Sequence, residues 1–484
     1  MPTRGRALAS LGREEPLLLA GIAAAATVFA LFSLVQHATF GSGADLAIFD
    51  QAIWGLSNLE QPRVSVYIHL SSIFGDHLHP LIALLAPLYW IWEDPRMLLL
   101  AQSALVAASA APVFLFARRR VGRLAAYLVA AAYLAFWGLQ TGIAIDFHEV
   151  AFAPLLIALA IHWGDLRRWA PYFAAVVLLL LVKEDLSILV FFTGLWLLAR
   201  RDLRAGLATM GLGAAWYVLA TKVLIPALAG GRGFRYWSYD QLGADVPSAL
   251  GHMVTHPLDT LRMLVEPEQK ARTLANLLVP FLGLALLSPV AILAVPLVAE
   301  RLLSSNQNYW ASRYHYSMTL SPVLAMAAAD GLARVCRLLE RLRGQPLAAA
   351  APAAGAAAML LAGLVASASL SPLGALKNRD FWRRSAPDRV AAAALERIPR
   401  DASVAAQYEY MPHLAHRREL VGIHPGPSRP DYIVARDKEG SDAGTASKRA
   451  DYDTLVEARG FLLLRRRPEV PESLAGTETS IRPP

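Results

Sequence analysis

Long runs without a charged residue constrain the fold of this chain more than any other feature. Residues 16–44 contain no Lys, Arg, Asp or Glu, and about 20 apolar residues cross the roughly 30 Å hydrocarbon layer of a membrane. Further charge-free runs lie at 97–117, 124–145, 150–164, 169–182, 186–199, 205–221, 273–299, 314–329 and 344–376. We therefore predict an α-helical integral membrane protein whose first, retained span covers 16–37.

Arginine clusters predict how many runs cross the membrane, because Lys and Arg in short loops stay cytoplasmic. The clusters are Arg4/Arg6/Arg13, Arg118/Arg119/Arg120/Arg123, Arg167/Arg168, Arg200/Arg201/Arg204 and Arg334/Arg337/Arg341/Arg343. All five are inside only if an even number of crossings separates each from the next. The sequence thus predicts about eleven transmembrane helices in a bacterial inner (plasma) membrane, with a cytoplasmic N-terminus and an extracytoplasmic C-terminal domain.

This topology determines how three further segments are placed relative to the membrane. Residues 38–96 form a large first outer loop, in which the apolar piece 80–92 lies in the interface or re-enters the membrane. The triplet Lys183-Glu184-Asp185 becomes the outer turn of a hairpin. Residues 273–304 become two short spans that turn inside near Ser288-Pro289.

Charge density separates a soluble part from the membrane domain. Of the 84 charged residues, 35 fall in 377–484 and 49 in the first 376. We predict a membrane domain over 1–376, an extracytoplasmic α/β domain over 377–470 and a disordered tail over 471–484. The α/β domain should contain a helix at 387–397, a short helix near His413, and strands at 403–407, 419–423, 431–436 and 461–467.

Two classes of protein are excluded. The single cysteine, Cys336, forms no intramolecular disulfide and supplies no cysteine-based metal site. The net charge of +8 does not indicate nucleic-acid binding, because most Lys and Arg of the membrane domain lie in short loops where topology explains them.

The predicted topology places acidic and histidine side chains together on the outer face. Ionisable residues at membrane depth are costly and indicate function. The set comprises Asp45, Asp50, Asp76, His77, His79, Asp146, His148, Glu149, Lys183, Glu184, Asp185, Arg313 and His315. Such an outer mouth suits a polar, membrane-tethered substrate.

Each of these residues has a functional and a structural interpretation. Asp45 is either a general base for an acceptor hydroxyl or the cap of the helix that follows it. The His77/His79 pair and the segment 146–149 either face a phosphate or metal, or form polar turns. Lys183 either holds a substrate phosphate or belongs to an ion-pair knot. Arg313 either binds a phosphate or carboxylate, or snorkels to the interface.

Several strings resemble an uncharacterised bacterial polytopic membrane family, a domain of unknown function allied to the GT-C glycosyltransferases. They are Asp45-Leu-Ala-Ile-Phe-Asp-Gln-Ala-Ile-Trp54, Gly75-Asp-His-Leu-His-Pro80 with Leu-Ala-Pro-Leu-Tyr89, Asp146-Phe-His-Glu149, Lys183-Glu-Asp185, His256-Pro257 and Arg313-Tyr-His-Tyr316. The resemblance covers about 38–335. It implies a GT-C-like bundle with juxtamembrane helices in the first outer loop and a soluble C-terminal domain.

The same resemblance implies a function. A catalytic Asp of the first outer loop maps on Asp45, with Asp50 as runner-up, and a basic residue before a Pro-Leu step maps on His77 or His79. The implied activity is inverting transfer of a sugar from a polyprenyl-phosphate donor to a hydroxyl of a glycan, lipid or protein acceptor. A nucleotide sugar is not needed, no cofactor is assigned, and a divalent cation (Mg or Mn) is an open alternative. The rival hypothesis is a non-catalytic lipid- or glycan-binding protein or a transporter.

The even number of crossings between arginine clusters predicts on which side of the membrane two positions lie. Cysteines introduced at Asn378 and Ser248 in a Cys336→Ala background should react with an impermeant maleimide added to intact spheroplasts. Labelling of position 378 only after lysis would contradict the eleven-span topology.

Overall fold

The computed structural model describes residues 15–66, 72–348, 350–423, 429–436 and 451–468. The Arg4/Arg6/Arg13 cluster and the predicted disordered tail 471–484 lie outside these residues. The first half of the helical part contains α1 (Pro16–Ala38), α2 (Ala44–Ser57), α3 (Ala86–Tyr89), α4 (Arg96–Ala108), α5 (Ala110–Val121), α6 (Arg123–Leu134), α7 (Trp137–Ala144), α8 (Ala153–Asp165), α9 (Trp169–Leu180) and α10 (Leu186–Ala199).

The second half contains α11 (Leu203–Leu219), α12 (Ile225–Leu228), α13 (Val246–Thr255), α14 (Pro257–Met263), α15 (Glu268–Leu278), α16 (Ala294–Leu302), α17 (Gln307–Trp310), α18 (Leu320–Arg343), α19 (Ala351–Leu370) and α20 (Ala386–Leu395). Short 3-10 turns join them at several points, and a π-helical turn at Ala220–Leu224 joins α11 to α12. The predicted helical bundle is thus confirmed.

By length and composition, five helical stretches of the described residues can cross a membrane: Pro16–Ala38, Arg96–Val121, Arg123–Ala144, Leu203–Leu228 and Ala351–Leu370. The remaining crossings of the eleven-span prediction fall on shorter or interrupted helices. α18 is long enough but carries Asp330 near its middle and Arg334 in its second half. Eleven crossings therefore stay a prediction.

Arginines of four clusters meet at one end of the bundle, which we call the arginine end. There the Arg120 guanidinium bonds both Asp165 (2.5 Å) and Asp330 (2.6 Å), and Arg200 pairs with Asp165 at 3.0 Å. Ser288 Oγ donates to the same Asp330 carboxylate at 2.8 Å. The chain therefore turns near Ser288 at the arginine end, as the topology requires.

The Lys183-Glu184-Asp185 turn lies at the other end, which we call the acidic end. It joins α9 and α10, of 12 and 14 residues, which rise about 18 and 21 Å at 1.5 Å per residue. Both helices start or finish beside arginines of the arginine end. Since the hydrocarbon layer is roughly 30 Å thick, neither helix is long enough to cross it alone, and the predicted topology therefore places the acidic end within the bilayer.

From the sequence, the apolar residues within 45–54 suit an amphipathic helix on the membrane surface. The structure corrects this prediction for helix α2, because ten of its fourteen residues are buried, including the polar Asp50 and Gln51. The C-terminal domain covers the side of α2 that an interfacial helix would turn to water. Gln51 Nε2 donates to the Arg417 carbonyl at 2.8 Å.

The C-terminal domain is a five-stranded sheet packed against α20, with the strand order β2-β1-β3-β5-β4. Its strands are β1 (Val404–Ala406), β2 (Leu420–Gly422), β3 (Tyr432–Arg436), β4 (Tyr452–Ala458) and β5 (Phe461–Arg466). β1 pairs in parallel with β2 and β3, whereas β5 pairs antiparallel with β3 and β4. The small α/β domain is thus confirmed, with β4 as an additional edge strand.

A buried polar contact joins this domain to α2. His416 Nε2 lies 3.0 Å from Asp50 Oδ1, and the Tyr89 hydroxyl donates to the same oxygen. Burial raises the pKa of Asp50. Burial lowers the pKa of His416, but the Asp50 carboxylate outweighs it and raises that pKa overall.

His416→Ala should destabilise this contact by about 3 kcal/mol, because removing one partner of a buried pair leaves the other uncompensated. The loss should appear as a lower Tm in detergent and as faster tryptic cleavage near 377–400. A histidine whose pKa is raised by folding contributes fully below its unfolded value of about 6.5 and loses that contribution as the pH rises through the raised value. The Tm difference from wild type should therefore shrink at high pH.

Arg467→Ala is the matched control, because its pair with Asp453 is exposed and such pairs contribute about 0–1 kcal/mol. Equal Tm losses in the two variants would contradict the docking role of His416.

Candidate active site at the acidic end

The start of helix α2 presents Asp45. Gly43 occupies the N-cap position, and no side chain caps the helix. The Gly43 N–H instead donates to Asp146 Oδ2 at 2.6 Å, across 103 residues of sequence. The alternative role of Asp45 as a helix cap is therefore wrong, and about half of its side chain is exposed at the acidic end.

His148 is the partner of Asp45, with its Nε2 3.4 Å from Asp45 Oδ2. Burial raises the pKa of Asp45, but the hydrogen bond and charge of His148 outweigh it and hold that pKa below its usual range. Burial lowers the pKa of His148, yet Asp45 raises it overall. Both shifts favour the charged forms of this carboxylate–imidazole pair.

Gln102 holds the backbone that carries His148. Its amide nitrogen donates to the Asp146 carbonyl at 2.7 Å, and its amide oxygen accepts from the His148 N–H at 3.2 Å. Between these contacts Asp146 adopts a positive φ of 51°, a conformation that an Asp tolerates better than most residues. Burial raises the pKa of the Asp146 carboxyl to about 6.

Lys183 lies in an ion-pair cluster, as the structural interpretation predicted. Its Nζ is 3.2 Å from Glu149 Oε1 and 3.7 Å from Asp185 Oδ2. Lys183 also lines a small pocket whose other polar walls come from Asp185, Glu300, Arg301, Tyr309, His315, Tyr316 and Thr319. The His315 ring packs on His148 at a centroid distance of 3.9 Å, so this pocket adjoins the Asp45–His148 pair.

The two histidines of the first loop have different surroundings. His77 Nδ1 bonds Glu184 Oε1 at 2.6 Å, and its ring stacks on Tyr236 at 4.0 Å. His79 is buried between Phe49 and Phe74, and neither ring nitrogen has a partner within the described residues. Thus His77 is fixed by the turn that holds Lys183, while His79 faces an apolar environment.

Arg313 lies on a different surface. It is exposed, its guanidinium sits over the Tyr314 ring at 5.0 Å, and it lines a groove of about 780 Å³. The segment 308–316 separates this groove from the Lys183 pocket, because Tyr309, His315 and Tyr316 line the pocket while Asn308, Ser312 and Arg313 line the groove. The two cations predicted to hold a phosphate therefore face different cavities.

The structure thus brings together most, but not all, of the predicted site residues. One connected cluster contains Asp45, Asp146, His148, Glu149 and Lys183, and Glu184 with His77 borders it. Asp50 points instead to Tyr89 and His416. Sequence reasoning did not select Tyr316 or Glu300 as site residues, and it placed His315 at the outer mouth without giving it a specific role.

Metal binding has no visible basis in the part of the chain that the structure describes. There, no group of three or more His, Cys, Asp or Glu side chains is arranged to hold an ion. The acidic end instead pairs its carboxylates with Lys183 and with histidines.

The bundle, the buried first-loop helix and the C-terminal α/β domain together make the fold of a polytopic membrane protein. The chain belongs to the family of predicted membrane proteins DUF2079, whose model matches residues 36–457. No curated protein matches the sequence. ArnT from Cupriavidus metallidurans, solved bound to undecaprenyl phosphate, is similar in fold: TM-score 0.53, 13% identity, covering 94% of this chain and 98% of that chain.

The apo structure of the same ArnT gives a TM-score of 0.54 at 13% identity, covering 93% of this chain and 98% of that chain. The apo structure of the oligosaccharyltransferase from Archaeoglobus fulgidus gives a TM-score of 0.45 at 12% identity, covering 88% of this chain and 70% of that chain. The predicted family is confirmed by the family match, and the likeness to ArnT supports the predicted GT-C-like fold.

Proposed function

We propose that the protein is a membrane glycosyltransferase that moves a sugar from a polyprenyl-phosphate donor to an acceptor hydroxyl on the extracytoplasmic side. The observation that carries this proposal is the half-exposed, ionised Asp45, held at a helix start by His148 and Asp146 at the sunken end of a GT-C-type bundle. A carboxylate so placed can take the proton of an attacking hydroxyl.

The donor side is the pocket of Lys183 and His315. Its depth within the bilayer suits a substrate whose phosphate is tethered to a lipid chain. Lys183 supplies a positive charge for that phosphate, while Glu149 and Asp185 hold the amine in place. The acceptor oxygen attacks the anomeric carbon, the C–O bond to the phosphate breaks, and the hydroxyl proton passes to Asp45. A single displacement of this kind inverts the anomeric configuration.

The acceptor side is the groove of Arg313. Carboxamides and hydroxyls line it, namely Gln269, Asn276, Gln307, Asn308, Ser312 and Ser369, together with Arg272 and Arg313. Carboxamides both donate and accept hydrogen bonds, as sugar hydroxyls do. The groove therefore supports a glycan acceptor over an apolar one, and its wall 308–316 continues to His315 beside the reacting pair.

Transport and simple lipid binding are the rival functions. A transporter requires a polar path that opens to both sides in turn. Here the two ends carry different chemistry. At the arginine end, Arg120 and Arg200 are neutralised by Asp165 and Asp330, whereas the half-exposed carboxylate of Asp45 lies at the acidic end. This one-sided arrangement favours chemistry at the acidic end.

The role of Asp45 can be separated from helix stability. Asp45→Asn should lower turnover by a factor of about 10² or more, because it removes the base but keeps the shape of the side chain. Its Tm should stay near that of wild type, since the N-cap is Gly43. Transfer from a synthetic polyprenyl-phosphate sugar, followed by chromatography, measures the turnover.

Asp50→Asn is the matched control on the same helix, because it preserves size and alters the His416 contact instead. We expect its main effect on stability. Full activity of the Asp45 variant together with an inactive but folded Asp50 variant would assign the base to Asp50. Full activity in both variants would show that neither aspartate of this helix is the base.

Lys183→Ala and Arg313→Ala should separate donor from acceptor. The Lys183 variant should bind polyprenyl phosphate more weakly, because charge-assisted hydrogen bonds are about twice as strong as neutral ones. The Arg313 variant should bind it normally and show a raised KM for the acceptor. Binding to purified protein by calorimetry, with Tm as the folding control, gives the comparison. Unchanged lipid binding by a destabilised Lys183 variant would leave Lys183 with a structural role alone.

A further inference from the structure

Helices α13 and α14 carry a row of exposed apolar side chains. Leu250, Val254, Leu258, Leu261 and Val265 are between 42% and 79% exposed. On α13, Leu250 and Val254 are four residues apart, and on α14, Leu258 and Leu261 are three apart, so each pair lies on one face of its own helix. Val265 lies in the turn that follows α14. Soluble surfaces rarely expose apolar residues as a contiguous patch, and such a patch marks an interaction site.

The opposite face of these helices is already packed. Ala249 is buried with Leu242 and Leu303, and Met253 and Met263 pack against the same cluster. His252, Asp259 and Arg262 also line one groove together, off the apolar row. The helices are therefore seated on the protein by one side, and the apolar row points away from it.

The row lies at the acidic end. The preceding helix α12 ends at Leu228. Gly75 of the first loop packs against Leu228 so closely that a Cβ on Gly75 would lie 2.8 Å from the Leu228 backbone. The segment before α13 is tied to the end of α16, because the Tyr239 hydroxyl donates to the Glu300 carbonyl at 2.9 Å. Glu300 lines the Lys183 pocket.

Lipid is the occupant that these observations favour. Leu203, Leu207, Val218, Val223 and Leu228 are exposed along the membrane-crossing stretch Leu203–Leu228, so an apolar solvent already covers the chain up to the point where the loop begins. An amphipathic helix with an apolar row lies in the membrane interface with that row buried. We propose that α13 and α14 insert Leu250, Val254, Leu258, Leu261 and Val265 into the lipid leaflet at the acidic end.

This insertion places the bilayer surface directly beside the Lys183 pocket, since α16 contacts both. A lipid-tethered substrate can then pass from the leaflet to the pocket along the α13–α14 pair. The insertion itself does not depend on the proposed transfer reaction, and a failure of either one leaves the other standing.

Spin labels on the full chain test the insertion. Single cysteines at Val254 and Leu258, in a Cys336→Ala background, carry a nitroxide in vesicles of phosphatidylethanolamine and phosphatidylglycerol. Collisions with oxygen, which concentrates in lipid, should exceed collisions with a water-soluble nickel chelate at both positions. Leu361 on the membrane-crossing α19 is the lipid control, and Leu455 on β4 and Asp259 on α14 are the water controls.

Labels at 254 and 258 that behave like the Leu455 label would overturn the proposal, because the row would then face water. Labels shielded from both reagents would overturn it as well, since a protein partner or a second copy of the chain would then cover the row.

Discussion

The bond between the Gly43 N–H and the Asp146 carboxylate is the contact on which the acidic end depends. It ties the start of α2 to the turn after α7, so that Asp45 and His148 lie on either side of one fixed junction. Gln102 holds the same turn from α4. The bond is short and its acceptor is buried, and a buried N–H without a partner would cost about 1–3 kcal/mol. The geometry of the proposed base is therefore set by backbone groups as well as by side chains.

The predicted depth of the site follows from helix length. α9 and α10 are shorter than the hydrocarbon layer, so the predicted topology places Lys183 and its carboxylate partners below the level of the surrounding lipid headgroups. Charges at that depth must be paired, and the Lys183, Glu149 and Asp185 contacts satisfy this requirement. For Lys183 to hold a phosphate as proposed, the phosphate must displace one of these two carboxylates, because together they already outweigh the single charge of the amine.

The helical bundle, the separation of arginines and acidic residues to opposite ends, and most of the C-terminal strands were predictable from the sequence. Hydropathy, the positions of arginines and the alternation of apolar and polar residues are local patterns, so they can be read without the fold. Sequence reasoning missed β4, whose side chains are mostly exposed apart from Tyr452. It also wrongly predicted that one side of α2 faces water. That side is covered by His416 and Arg417, which are more than 360 residues away in the sequence. No sequence pattern indicated that Glu300 belongs to the site, because it lies at the end of a charge-free run. It comes close to Lys183 only through the folding of α16.

The C-terminal domain has a clear physical role in this arrangement. Asp50 lies five residues after Asp45 on the same fourteen-residue helix, and its carboxylate contacts Tyr89 on one side and His416 on the other. Ser65 Oγ further accepts from the Leu420 N–H at 2.8 Å, which joins the first loop to β2. A helix held at its start by Asp146 and along its length by the soluble domain cannot tilt without breaking buried polar contacts. The soluble domain therefore acts as a clamp on the helix that presents Asp45, which explains why an acidic side chain is retained at the fully buried position 50.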